Sequence, residues 1–356
     1  MLAEEESARA PFDDLTNAQK RKAAELKAKA VRAPRAPDGV LPGLIRNAAQ
    51  KPKRRRSKPA EPEDADESHY DFDRGTRRDE LACADYVVPL YEYYREAEVR
   101  PNNRPSVLMY MDFQQDISPK MRAILVDWLI EVHMKFKMTQ QTIYLTVHII
   151  DRYLSKCQIG RAQLQLLGVS ALFIASKYEE IYPPEISECT YITDHAYDVA
   201  QVLAMEMAIL RELDWNITAP NAHFWLVRLM RLSRADAATA HRAEYYAQRT
   251  LQEYNMLEYK PSMLAAASAH LALVAAQAPG NITAAVATAA WPAELKELTG
   301  YAEADLYACC KAIAHHVNLP DSSKANKLAA CRKKFAKDDF ERVAAAHKCP
   351  VLPRRP

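Results

Sequence analysis

The sequence predicts an all-α protein built from two successive sets of five helices. Glycine accounts for only 7 of the 356 residues, about 2 %, where folded proteins usually have ~7 %. A chain so poor in glycine rarely builds phosphate-binding loops or β architectures with many turns. Alanine, leucine, glutamate and lysine are abundant, and these residues favour helices. The length allows about two folded domains and additional tails, at ~150 residues per domain.

Residues 1–78 are predicted to form a disordered tail. They carry almost no periodic apolar or aromatic residues, so they cannot bury enough apolar surface to offset the loss of chain entropy. A basic cluster, KPKRRRSKP, occupies 51–59. It is either a solvated run of charge or a nuclear-import signal, because import receptors bind short basic segments in acidic grooves. The residues of that signal are Lys51, Lys53, Arg54, Arg55, Arg56 and Lys58.

Order is predicted to begin with an aromatic-rich helix over 79–98, followed by the first five-helix set over 99–217. Ser118 and Pro119 supply an N-cap and a proline at the first helical position, so a helix should open there and run to 137. Thr139 is expected to cap the next helix, which ends near 155. Further helices are predicted at 161–180, 184–189 and 196–213, with a break at Tyr182-Pro183-Pro184.

The second set is predicted over 218–318, with helices at 220–233, 239–257, 261–278, 282–290 and 302–317. The segments 163–176 and 261–274 are both rich in Ala, Leu and Ser, and their first residues are 98 positions apart (261 minus 163). This similarity suggests a duplicated module. The remaining segment, 319–356, is basic and contains one predicted helix near 338–347.

The composition excludes several classes of function. The formal net charge is +2, so the whole chain is not an electrostatic trap for nucleic acid. No phosphate loop, zinc-ligand spacing or kinase signature is present, which argues against an enzyme. Cys309, Cys310, His315 and His316 are interpreted as core or surface residues rather than metal ligands. Scattered cysteines and the lack of a long apolar run predict a soluble intracellular protein without membrane contact.

The helix pattern at 121–136, MRAILVDWLIEVHMKF, has more apolar faces than a surface helix needs. Such a helix is either central in the core or uses one side to hold a partner. Asp127 and Glu131 form a charged strip between the apolar faces. One apolar stripe contains Met121, Leu125, Trp128 and Val132, and the far side contains Ala123, Val126 and Ile130.

Four polar residues stand in strongly apolar helices. Glu206 has apolar neighbours on every side, and an unpaired buried carboxylate would cost several kcal/mol, so it must pair or reach an interface. Lys177 follows the apolar run ALFIAS and is either a snorkelling residue at a helix end or an interface residue. Arg122 and Asp151 are expected to form a buried ion pair that ties two helices together.

Long colinear segments resemble the cyclin box of mitotic cyclins. The resemblance runs from about Tyr86 to Val317, and LIEVHMKF is similar to the B-type form rather than the A-type form. It implies two tandem five-helix cyclin boxes. The segments that carry it are MRAILVDWLIEVHMKF, TIYLTVHIIDRYLS, LQLLGVSALFIASKYEEIYPPEI, YITDHAY, VLAMEMAILRELDWNI, YKPSMLAAASAHLAL and LTGYAEADL.

The resemblance implies a non-catalytic regulatory subunit, without cofactor or metal, that binds and activates a cyclin-dependent kinase. Arg122, Asp151, Leu166, Lys177 and Glu206 match the signature positions of the family, in which the Lys and Glu contact the kinase and the Arg–Asp pair is an internal strut. The implied kinase-binding residues are Lys177, Glu206, Leu166, Tyr178, Glu179 and Ile181. The implied docking patch for Arg-x-Leu substrates consists of Met121, Leu125, Trp128, Glu131 and Gln165.

In the tail, RAPFDDLTN (9–17) resembles a destruction box, with Arg9, Phe12 and Asn17 at its defining positions and Phe where the family normally has Leu. It implies a ubiquitin ligase as a further partner, and the protein is expected in the nucleus and the cytoplasm. A B-type cyclin acting at G2/M is the favoured interpretation. The alternatives are an A-type cyclin acting in S/G2 and a tandem cyclin fold of the transcription-factor type that binds DNA.

Overall fold

The structure is a computed structural model and describes residues 84–105, 109–277, 291–319, 328–346 and 348–352. These ranges form thirteen α-helices and short 3-10 turns with no β-strand, which confirms the predicted all-α class. The predicted tail and the predicted helix 282–290 lie outside the described residues. The helices are α1 (Val87–Ala97), α2 (Pro119–Lys135), α3 (Gln140–Leu154), α4 (Leu164–Glu179), α5 (Ile186–Ile192), α6 (Val199–Glu212), α7 (Ala222–Leu232), α8 (Ala237–Thr250), α9 (Pro261–Gln277), α10 (Ala293–Thr299), α11 (Glu303–Val317), α12 (Ala330–Phe335) and α13 (Val343–Ala346).

The first set, α2–α6, is organised around α4. All residues from Leu164 to Ser176 are buried, because α4 packs against α2, α3 and α6 on different sides. Gly168 permits close packing against α2, since a Cβ atom there would lie 2.7 Å from Cδ1 of Leu125. A helix surrounded on all sides explains the continuous apolar run in this part of the sequence.

The second set, α7–α11, repeats this plan around α9, whose small residues Ala265, Ala266, Ala267 and Ala269 are all buried. Helices α7, α8 and α11 pack against it. Small side chains let the surrounding helices approach α9 closely. The N-terminal helix α1 contacts this set through Tyr91, which stacks on Phe224 of α7 at a ring-centroid distance of 4.7 Å.

The N-caps of α2 and α3 differ from each other. Ser118 Oγ accepts a hydrogen bond from Met121 N at 3.4 Å, as its position before Pro119 predicts. Thr139 stands at the N-cap of α3 but its side chain does not cap the helix. The carboxylate of Glu180 takes that place, accepting from Thr139 N at 2.8 Å and from the Thr142 hydroxyl. A carboxylate near a helix N-terminus is stabilised by the helix dipole.

Two of the predicted helices are interrupted in the structure. The helix predicted over 239–257 ends at Thr250, and a 3-10 turn follows at Tyr254–Glu258. The break lies where Arg122 Nη1 binds the carbonyl oxygen of Leu251 at 3.0 Å. Near 338–347 the helix is interrupted, because Glu341 and Arg342 have left-handed φ values of 52° and 50°. Helices α10 and α12 were not predicted at all.

Most helix ends in a left-handed conformation use residues other than glycine. Lys137, Asp194, Asp214 and Arg234 have φ values of 54°, 57°, 52° and 50°, whereas Gly300 has 73°. The left-handed conformation costs an L-residue about 1–2 kcal/mol, and glycine avoids that cost. Because these turns use residues other than glycine, their backbone is strained. Among the described helices, none has the length and apolarity needed to cross a membrane.

Candidate functional site

Lys177 and Glu206 form an ion pair between the last turn of α4 and the middle of α6. Lys177 Nζ donates a hydrogen bond to the Glu206 carboxylate and also lies 4.1 Å from the centroid of the Phe173 ring. The Lys177 side chain is 42 % exposed and that of Glu206 is 8 % exposed. Lys177 thus supplies the partner that a buried Glu206 carboxylate requires, while Lys177 itself stays accessible at the surface.

Large apolar side chains are exposed next to this pair. Ile181 is 88 % exposed and Tyr182 is 91 % exposed, in the loop that follows α4, and Tyr178 is also exposed. On α6, Leu203 and Met207 are exposed on either side of Glu206. A concentration of exposed aromatic and aliphatic side chains marks a surface that binds another protein.

The sequence did not predict a surface role for Leu203 and Met207. Together with Val199 they repeat at four-residue intervals and are exposed along one stripe of α6. The signal for them was available, because the segment VAQVLAMEMAIL is apolar around almost the whole helix. A wider apolar arc than the core requires is the same criterion that singled out residues 121–136.

The loop after α4 is held at its base and open at its tip. Glu180 is fixed at the N-terminus of α3, and the hydroxyl of Tyr178 is hydrogen-bonded to that of Thr218. Glu179 is half-buried, and burial together with repulsion from Glu180 raises the pKa of its carboxyl. Ile181 therefore extends from a fixed base into solvent.

Leu166 does not lie on this surface. It is buried within α4 as part of the hydrophobic core. The prediction that it contacts a partner is therefore corrected to a core role in this chain. It lies in the stretch of α4 from Leu164 to Ser176 that neighbouring helices cover on all sides, whereas Lys177 stands just beyond that stretch and is exposed.

The proposed docking patch on α2 is only partly open. Met121 and Trp128 are half-buried, but Leu125 is completely buried against α4 and Gln165 is buried as well. Leu125 and Gln165 are therefore corrected from surface residues to residues beneath the patch. Ile124, which the sequence analysis omitted, is half-buried and lies between Met121 and Trp128 on the same face. Met121, Ile124 and Trp128, with Glu131 at their border, form the α2 patch.

Asp127 joins α2 to the second set and to the C-terminal segment. Its Oδ1 accepts hydrogen bonds from Gln252 Nε2 at 2.5 Å and from Ala330 N at 2.9 Å. Burial, assisted by the nearby charge of Glu131, raises the pKa of Asp127 to about 6 despite these hydrogen bonds. The charged strip predicted on α2 is thus partly an internal contact.

Arg122 and Asp151 form the predicted ion pair between α2 and α3. Arg122 Nε and Nη2 donate to the two carboxylate oxygens at 2.6 and 2.7 Å. The hydroxyl of Tyr110 donates to Asp151 Oδ1 at 2.7 Å. Burial alone would lower the pKa of Arg122, but Asp151 raises it above its ordinary value. Because Arg122 also binds Leu251 O, the pair connects both helical sets.

The His and Cys residues near 309–316 do not assemble a metal site. Cys309 and Cys310 are buried, and burial raises the pKa of both thiols. His316 Nδ1 lies 3.4 Å from Glu253 Oε2. In the part of the chain that the structure describes, no group of three or more His, Cys, Asp or Glu residues is arranged to hold a metal.

Comparison with protein families identifies both helical sets. The profile of the cyclin N-terminal domain matches residues 89–218, and that of the cyclin C-terminal domain matches 220–349. The chain belongs to the cyclin family. Its N-terminal cyclin domain contains α1–α6 with the Lys177–Glu206 pair, and its C-terminal cyclin domain contains α7–α13. The segments of the destruction-box-like motif and the basic cluster precede both domains and lie outside the described residues.

B-type cyclins are among the relatives that this chain resembles in sequence. Cyclin-B1-2 of Arabidopsis thaliana is 39 % identical over 274 residues, covering 77 % of this chain and 58 % of the relative. G2/mitotic-specific cyclin-B of Arbacia punctulata is 35 % identical over 278 residues, covering 77 % of this chain and 64 % of the relative. The chain thus spans about three fifths of the length of these relatives. A viral cyclin from herpesvirus saimiri shares the fold, with 18 % identity, a TM-score of 0.50 and coverage of 73 % of this chain and 98 % of the viral one.

Proposed function

We propose that this cyclin is a non-catalytic subunit that binds and activates a cyclin-dependent serine/threonine kinase at the G2/M transition. The observation that carries the proposal is the Lys177–Glu206 pair, in which Lys177 is accessible and the exposed Tyr178, Ile181 and Leu203 lie around it. An ion pair within an exposed apolar surface offers both directional hydrogen bonds and buried area to a partner. The B-type and mitotic relatives favour this role over an A-type role in S/G2 and over a DNA-binding tandem cyclin fold.

The proposed mechanism is a shift of the kinase population. A protein kinase is active only when the Lys–Glu pair involving its αC helix is formed, because that pair positions ATP. A cyclin that binds the active arrangement better than the inactive one raises the active fraction without contributing a catalytic group. In this chain Lys177 and Glu206 would hydrogen-bond the kinase near αC, and Ile181, Leu203 and Met207 would be buried against it.

Helix α1 is proposed to extend the same contact. Its inner face packs on α7 through Tyr91 and Tyr94, which lie 4.7 and 4.3 Å from the ring centroid of Phe224. Its outer face leaves Leu90 and Tyr93 exposed, and Tyr86, just before the helix, is exposed as well. Burial, together with the nearby Tyr178 at the end of α4, raises the pKa of Tyr94.

The test is co-purification of the full chain with a cyclin-dependent kinase, followed by histone-kinase assays. Lys177→Ala with Glu206→Ala is expected to abolish binding and activation while thermal unfolding stays cooperative. The matched control is Lys156→Ala with Glu212→Ala, which removes a second ion pair involving α6, at 3.9 Å. The control should bind and activate normally. Full activation by the Lys177/Glu206 variant would contradict the proposal.

The α2 patch is proposed to recruit substrates that carry an Arg-x-Leu sequence. Its half-buried apolar residues offer a shallow site for the leucine, and Glu131 offers a carboxylate for the arginine. Trp128→Ala should leave the phosphorylation of short peptides unchanged and slow that of substrates with Arg-x-Leu. Equal slowing of both would argue against docking.

The N-terminal tail is proposed to control lifetime and location. Replacing Arg9 and Phe12 with alanine should prolong the lifetime of the protein through mitotic exit, because a ubiquitin ligase would lose its destruction-box-like contact. Replacing Glu5 and Glu6 is the control, and unchanged turnover of the first variant would reject the degron.

Replacing Arg54, Arg55 and Arg56 should shift the protein from nucleus to cytoplasm, as imaging of a fluorescent fusion would show.

A further inference from the structure

Helix α12, which the sequence did not predict, lies along the charged strip of α2. Three positions on α12 and the turn after it meet three positions on α2, each about one helical turn from the next. The contacts are Ala330 N to Asp127 Oδ1 at 2.9 Å, Lys333 Nζ to Glu131 Oε1 at 3.6 Å and Lys337 Nζ to Met134 Sδ at 4.0 Å. The two helices are therefore in register along this face.

Buried side chains fix α12 in this position. Lys334 Nζ donates to Gln140 Oε1 on α3 at 2.6 Å, and burial lowers the pKa of Lys334 to about 8. Phe335 is completely buried and packs against Tyr245 of α8 at a centroid distance of 5.6 Å. Because these residues anchor the backbone, the neighbouring Lys333 is held beside α2 although its own side chain lies at the surface.

Glu131 lies between α12 and the α2 patch. On a helix with 100° between residues, it lies one turn from Trp128 and two turns from Ile124, on the side facing Asp127. Asp127 is already occupied by backbone and side-chain donors within the protein. Glu131 is therefore the carboxylate of this strip that borders the patch, and among the described residues its ion-pair partner is the exposed Lys333.

We propose that Lys333 is an intramolecular competitor for the arginine of a docking peptide. The inference rests on the docking function proposed for the α2 patch and adds a regulatory contact to it. The side chain of Lys333 is 66 % exposed and that of its partner Glu131 is 45 % exposed. Such exposed ion pairs contribute little to stability. Lys333 therefore weakens the binding of arginine-containing peptides without blocking it, and it makes docking depend on the apolar anchor more than on the charge.

The experiment measures peptide binding to the full chain by fluorescence anisotropy. The probes are a labelled peptide with an Arg-x-Leu core and the same peptide with Ala in place of Arg. Lys333→Gln should tighten binding of the Arg peptide about two- to fivefold, which is the range of an exposed ion pair, and leave the Ala peptide unchanged. Lys337→Gln removes the same charge from the next turn and should change neither. The gain should shrink as salt is raised, because salt screens exposed charges.

A double variant isolates the contact. Glu131→Gln should weaken binding of the Arg peptide, and adding Lys333→Gln to it should have no further effect. If the unsubstituted chain binds the Arg peptide through Trp128 but Lys333→Gln leaves the affinity unchanged, the competitor role is wrong while docking stands. If no variant binds either peptide, the docking function is wrong and the competitor role falls with it. If Lys337→Gln tightens binding of the Arg peptide as much as Lys333→Gln does, the gain comes from the lower overall positive charge and the competitor role is wrong.

Discussion

The guanidinium of Arg122 and the carboxylate of Asp151 face each other across α2 and α3 through two hydrogen bonds of 2.6 and 2.7 Å. Their side chains are 1 % and 3 % exposed. The hydroxyl of Tyr110 donates a further hydrogen bond to the Asp151 carboxylate. The Arg122 guanidinium also donates to the carbonyl oxygen of Leu251 in the other cyclin domain. Because the pair is buried, removing either partner would leave the other charge without a counter-charge and without water, which is strongly destabilising.

Arg122→Met is expected to lower the free energy of unfolding by about 3–5 kcal/mol, because Asp151 would remain buried without its partner. Urea denaturation followed by circular dichroism measures the change. Arg161→Met is the matched control, since Arg161 pairs with Asp116 at 3.0 Å on the surface, and it should cost only about 0–1 kcal/mol. Combining Arg122→Met with Asp151→Leu should recover part of the loss. Equal costs at the buried and the exposed site would contradict this account.

Asp127 should make stability depend on pH. Its pKa in the folded protein is raised to about 6, above that of about 4 in an unfolded chain. Between these values the folded state holds more protons, so stability should fall as pH rises from about 4 to 6 and then level off. Asp127→Asn keeps an oxygen for Ala330 N–H and Gln252, so it should remove this slope and add about 1–3 kcal/mol at pH 7.5. Chemical denaturation at several pH values tests this; a variant less stable at pH 7.5 would show that the charge is favourable.

Gly168→Ala should destabilise the first cyclin domain by about 1–2 kcal/mol. A methyl group at 168 would meet Leu125 Cδ1 at 2.7 Å, and Leu125 is completely buried. Overpacking of a core costs about 1–3 kcal/mol, partly offset by the better helix propensity of alanine. Adding Leu125→Val should make room and recover stability, as thermal denaturation would show. A Gly168→Ala variant with unchanged stability would mean that α2 and α4 can separate without cost.

Arg234→Gly should stabilise the protein by about 0.5–1 kcal/mol. Arg234 is exposed and has a left-handed φ of 50° at the end of α7. Glycine avoids the strain of about 1–2 kcal/mol but gains entropy in the unfolded chain, which offsets part of the benefit. Arg231→Gly, in the last helical turn of α7, should instead destabilise by up to about 1 kcal/mol. Denaturant midpoints for both variants would compare them directly, and a loss of stability in both would contradict the strain argument.

Helix positions could be predicted well where a periodic apolar pattern coincided with a local cap. Helix α2 begins at Pro119 because Ser118 caps it, and both signals are local in the sequence. Helix α12 could not be predicted in this way, because its six residues carry three basic side chains and little apolar periodicity. It forms where Phe335 and Lys334 meet a surface supplied by α3 and α8, which no local pattern describes.

The sequence by itself determined the all-α class, the order of the helices and the identity of the polar residues that had to be paired. Helical periodicity and caps act over a few residues, and an isolated carboxylate such as Glu206 cannot be buried alone. Only the tertiary structure decided which apolar residues remain at the surface. Leu125 and Ile124 are adjacent and equally apolar, yet Leu125 is buried because α4 covers its side of α2, while Ile124 stays partly open. Exposure depends on which neighbouring helix packs where, and that is a property of the assembled core.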